Sequence, residues 1–128
     1  MHSHAFQRLL RGDVQRRDLS QRDTFWTWRE RMYDLALGLD LDALEAAARL
    51  TYAECLESGY TAVGEFHYVH RDPSGQPYPD PVATSRAMLR AARQAGIRIT
   101  LLWTVYASGG FDVPLSERQT RFGASSLD

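Results

Sequence analysis

At 128 residues, 44% of them apolar and 24% charged, the chain has the size and composition of one globular domain with a single core, which excludes an extended disordered segment. Fifteen basic residues, all arginine, stand against sixteen acidic ones for a net charge of -1, so neither nucleic acid nor an anionic membrane is indicated as a partner. The first residues lack a secretory signal, no stretch reaches the roughly 18 apolar residues of a membrane span, and the lone Cys55 excludes an internal disulfide, so a cytoplasmic protein is expected.

In chain order, MHSHAFQ comes first and places His2 and His4 two residues apart. Phe25, Trp28, Met32, Leu35 and Leu39 then recur every three or four residues, predicting a helix from Thr24 to Leu39 with Thr24 as its cap. A second helix starts at Asp40 as N-cap and stops at Gly59. YTAVGEFHYV carries β-branched and aromatic residues and predicts a buried strand. A loop with Pro73, Gly75, Pro77, Pro79 and Pro81 leads to a helix from Val82 to Ala95 that Gly96 closes. IRITLLWTV is the next strand, and the tail from Tyr106 reads as loop with a short helix near Ser116 to Arg121. This rhythm is that of parallel β/α units, strands buried on both faces and joined by helices. Two clear strands with flanking helices predict an α/β fold with parallel strands; a complete (β/α)8 barrel takes about 250 residues and a doubly wound sheet needs about two or three more strands, so either would be present only in part.

In an extended segment residues i and i+2 point the same way, so His2 and His4 can offer two imidazole nitrogens to one metal ion. HSHAFQRLLRG, DTFWTWRERMY, ESGYTAVGEFHYVHRDPSGQPYPDP and AARQAGIRITLLWTVY together resemble the formimidoylglutamate deiminases of the amidohydrolase superfamily, over nearly the whole chain. The resemblance implies a zinc enzyme of histidine breakdown that converts N-formimino-L-glutamate to N-formyl-L-glutamate and ammonia, by attack of a zinc-activated water on the amidine carbon. It makes His2 and His4 zinc ligands, Gln7 and Tyr68 substrate contacts, and Arg29 the grip on a substrate carboxylate. It also implies a small-molecule substrate, one divalent metal ion per active site and a homodimeric full-length protein. Related amidohydrolases that deaminate purines, pterins or triazines share the H-x-H and remain an alternative, as does a non-catalytic scaffold.

Arginine suits a dicarboxylate substrate through its planar fork, although Arg29 in FWTWRE could equally be a surface residue paired with a neighbouring acid, and Arg31 is a rival. Strand parity raises a second question. Glu65 and His67 share one face of a strand and Phe66 and Tyr68 the other, so either the strand ends near His67 or Tyr68 looks toward the helices. His67 and His70 are read as hydrogen-bonded structural residues outside the metal set. Ser108 in YASGGFD stands where the family tends to have a loop histidine. The expectation for the whole is a barrel fragment, residues 1–128, without the upstream strand or the later ligands and acid and base groups, and inactive by itself.

Overall fold

A computed structural model describes residues 1–12 and 25–123. The expected cap Thr24 lies outside them. Three parallel strands, β1 (His2–Ser3), β2 (Ala62–His67) and β3 (Arg98–Trp103), form one sheet in the order β1-β2-β3. Around it run α1 (Phe25–Gly38), α2 (Leu41–Glu57) and α3 (Ala83–Ala95), with 3-10 helices at Ala5–Leu10 and Glu117–Phe122. No helix among the described residues is long and apolar enough to cross a membrane.

The sheet has one strand more than the two that periodicity marks. His2 and Ser3 pair with Gly64 and Glu65, and the amide of Gly64 donates to the Met1 carbonyl at 2.7 Å. Two residues are too few to show a period, so this strand end is set by its partner.

Helix ends follow local chemistry. Asp40 Oδ1 accepts from the amide of Ala43 at 2.8 Å, capping α2, and Gly96 closes α3 at φ +84, where a Cβ is disfavoured. Leu44, Ala48 and Tyr52 of α2 and Ala87, Met88, Ala91 and Ala92 of α3 are buried in one core with Val63 of β2. Cys55 is buried there as a small hydrophobe.

Two expectations are corrected. Phe25 is 63% exposed instead of continuing the buried stripe, while Tyr33, off that stripe, is 3% exposed. Tyr33 is buried because Phe122 from the far end of the chain packs on it, ring centroids 5.5 Å apart. β3 is not buried on both faces either: Leu102 and Trp103 are exposed, since no described strand pairs with its far edge.

β2 has a clear inside and outside. Val63, Glu65 and His67 are buried toward α2 and α3, whereas Gly64 and Phe66 lie on the opposite face, half-buried. His67 Nε2 bonds Thr84 Oγ1 of α3 at 3.0 Å, and burial drives its pKa from 6.5 down to about 3. A histidine held neutral in the fold and free to protonate when unfolded makes stability greatest above pH 6.5. Stability is then expected to fall as pH drops from 6.5 toward 3, and in chemical denaturation a His67→Asn variant should show a flatter profile across that window.

Candidate metal and substrate site

The chain end bearing His2 and His4 lies beside the C-terminal end of β2. His2 Nε2 and His4 Nε2 face each other at 2.9 Å. His4 Nδ1 is 3.2 Å from the Phe66 carbonyl, which can only accept, so Nδ1 carries the proton and Nε2 keeps its lone pair. That is the tautomer a metal needs, with the second nitrogen fixed by a backbone acceptor. Two nitrogens on one tetrahedral zinc stand about 3.4 Å apart, given zinc–nitrogen bonds of about 2.1 Å. A small opening of the pair would therefore seat an ion. Burial lowers the pKa of His4, with the Phe66 bond opposing it and the charge of His2 adding to it, which favours the neutral ligand form.

Phe66 and Tyr68 lie on the same side as this pair. The Phe66 ring is 5.9 Å from that of His2 and 5.3 Å from that of His4, and Tyr68 is 5.4 Å from His4. The parity question thus has a definite answer. The strand ends at His67, Glu65 and His67 point to the helices, and the Phe66–Tyr68 parity belongs to the histidine side.

Gln7 comes to Tyr68 because the 3-10 helix starting at Ala5 turns the chain back across the end of β2. Its Nε2 donates to the Tyr68 hydroxyl at 2.5 Å, and that hydroxyl points at Met32 Sδ, 3.9 Å away. Burial raises the Tyr68 pKa, the Gln7 bond opposing it, so the phenol stays protonated. Arg8, next in the turn, pairs with Glu54 at 2.5 Å and ties the turn to α2.

Arg29 joins this cluster at one remove. Its guanidinium lies 4.4 Å over the Trp26 ring and 5.6 Å from that of Tyr33. Tyr33 packs on Phe122, Phe122 on Tyr68 at 5.4 Å, and Tyr106 stacks on Tyr68 at 5.7 Å. Burial raises the Tyr106 pKa, with Tyr33 adding to it and the Arg29 cation opposing. Glu30 and Asp34 both bind Arg118, so the expected neighbours of Arg29 on its own helix are engaged elsewhere. Arg29 Nε is buried without a hydrogen-bond partner, and the residue lines a cavity of about 510 Å³ between α1 and the loop after β3. Arg31 is not among that cavity's lining residues.

His67 and His70 stay outside this cluster: His70 Nε2 donates to the Thr104 carbonyl at 2.5 Å and its ring lies 4.7 Å from Trp103. Ser108 is exposed in the loop after β3. Among the described residues no three His, Cys, Asp or Glu side chains come together as a metal site. Sequence reading missed Tyr33, Tyr106 and Phe122, whose roles come from long-range packing. Glu65 was placed by strand parity but given no role, although a carboxylate inside an apolar run is a legible signal.

The amidohydrolase family profile matches residues 1–123. The chain belongs to the amidohydrolase family. It is 47% identical over 123 residues to a formimidoylglutamate deiminase of Pseudomonas aeruginosa, a match covering 95% of this chain and 27% of that protein. It superposes on a crystal structure of an amidohydrolase from Brucella melitensis with TM-score 0.90 and 42% identity, covering 97% of this chain and 28% of that one. The chain therefore spans about a quarter of the length of these relatives. Its sheet and helices are an arc of the (β/α)8 barrel, as the motifs led one to expect.

Proposed function

We propose that this chain is the part of a zinc-dependent deiminase barrel that supplies two metal ligands and much of the substrate grip for hydrolysis of N-formimino-L-glutamate to N-formyl-L-glutamate and ammonia, a step of histidine breakdown. The observation that carries this reading is the His2–His4 pair with its Nε2 atoms converging and the His4 tautomer set by Phe66, in a chain 47% identical to a formimidoylglutamate deiminase. A bound zinc ion would supply Lewis acidity for attack of water on the formimino carbon.

This chain's residues then divide the remaining work. His2 and His4 hold the ion. Gln7 is anchored on Tyr68 through its side-chain amide, which orients its side-chain carbonyl for substrate. Tyr68, protonated and boxed by aromatic rings, forms a dry wall beside the ligands. Arg29, stacked on Trp26 and Tyr33 with an unpartnered Nε, offers a pre-oriented fork to a carboxylate. The remaining ligands and the principal acid and base groups come from later strands of the full-length protein, which we place in the cytoplasm as a homodimer.

Catalytic zinc takes about three protein ligands and a water, and this chain contributes two of them. The isolated 128-residue polypeptide is accordingly expected to release no ammonia from N-formimino-L-glutamate above a protein-free blank when zinc is added. Turnover by the isolated chain would contradict that division of ligands.

A further inference from the structure

β2 carries one ionisable residue in its interior that the proposed chemistry does not use. Glu65 is 2% exposed, on the helix-facing side of the strand. Burying a carboxylate is costly, and of its two oxygens Oε2 is buried without a hydrogen-bond partner, so the one held oxygen, Oε1, shows what the residue is for. Oε1 accepts from the amide of Ala5 at 2.8 Å. Ala5 follows His4 and is the first residue of the 3-10 helix, where backbone amides lack partners within the helix. His4 makes no side-chain cap bond there, because its ring is turned to Phe66 and His2. Glu65 therefore caps that turn from a neighbouring strand.

The other side of the same residue is held as well. Thr51 Oγ1 of α2 shares its one proton between the Ala47 carbonyl of its own helix at 2.8 Å and the Ala5 carbonyl at 3.0 Å. Ser3, the register partner of Glu65, is buried beside it, and the Tyr52 hydroxyl lies close to the carboxylate, which helps raise that phenol's pKa after the larger effect of burial. Ala5 is thus clamped at both its N–H and its C=O.

We propose that Glu65 is a positioning residue for the H-x-H: by capping the Ala5 amide from β2 it fixes the backbone direction at which His4 leaves β1, and so the angle at which His4 Nε2 meets a metal. The inference rests on the reading of His2 and His4 as a metal pair. Its chemistry asks for an acceptor oxygen at this place, with the charge itself secondary.

The test uses the full-length protein with zinc affinity measured by competition against a chromophoric chelator, and the visible bands of the cobalt(II) form. Glu65→Ala and Glu65→Leu, the second keeping most of the side-chain volume so that the fold is retained, are expected to weaken zinc binding about 10- to 100-fold and to shift the cobalt bands at saturation. Loss of fold stability alone does not shift those bands. Glu65→Gln, which keeps an acceptor for Ala5, is expected to stay within about threefold of the parent, far below the 10- to 100-fold loss typical of disturbed ligand support. Parent-like affinity and bands in both the Ala and Leu variants would overturn the proposal, as would a Gln variant as weak as Ala. His4→Ala distinguishes ligand from support: if it too keeps the parent's affinity, the metal-pair reading itself fails and takes this inference with it.

Discussion

Replacing His4 by alanine in the full-length protein is expected to remove bound zinc and to lower kcat/KM by about a thousandfold or more, the several kcal/mol of transition-state stabilisation that a catalytic ion supplies. His4 is the better fixed of the two ligands. It is half-buried, its Nδ1 is tied to Phe66, and its ring packs against both Phe66 and Tyr68. His2 is exposed and touches Phe66 alone of those two rings, so His2→Ala is expected to act in the same direction through the ligand set but to disturb the surrounding packing less. Metal content after dialysis, measured with activity on the same samples, checks the pair. Full zinc content with parent activity in His4→Ala would remove this residue from the metal site.

Arg29→Ala is expected to raise KM for N-formimino-L-glutamate roughly 10- to 100-fold with a much smaller effect on kcat. A hydrogen bond to a charged group contributes about 1.5–3 kcal/mol, and every 1.4 kcal/mol is tenfold in affinity. The change falls on KM because a carboxylate remote from the formimino carbon is bound alike in ground and transition states. Arg29→Lys should recover only part of the loss, since the ammonium keeps the charge without the fork or the stacking on Trp26 and Tyr33. Steady-state kinetics of Arg29→Ala and Arg31→Ala side by side check the assignment. An unchanged KM in the first with a raised KM in the second would move the carboxylate grip to Arg31.

Local chemistry made most of the fold legible. Asp40 and Gly96 bound their helices through short-range rules. What failed had physical causes outside any local window. Tyr33 and Phe122 are 89 positions apart and pack ring on ring, so the period of α1 could not show that Tyr33 is core or that Phe25 is not. The exposed outer side of β3 has the same origin, since what a strand buries depends on its neighbours.

The candidate site was legible in parts. His2 and His4 read correctly as neighbours on one side because an extended pair needs only two residues. Gln7 and Tyr68, 61 positions apart, were joined to one site only by the family motifs, and the bond between them was not legible at all. Parity along EFHY could not tell inside from outside, since both faces of β2 carry residues able to pack. The deciding facts are tertiary: Thr84 waits for His67 on the helix side, and the chain end bearing His4 lies on the other.

The role proposed for this arc of barrel is formimino hydrolysis. Its most direct test is ammonia release by the zinc-loaded full-length protein from N-formimino-L-glutamate, run beside a purine, a pterin and a triazine at equal concentration. Turnover of N-formimino-L-glutamate, lost in His4→Ala, is expected, with no comparable turnover of the three ring substrates. Turnover of a ring substrate in its place by the folded, zinc-loaded protein would contradict it.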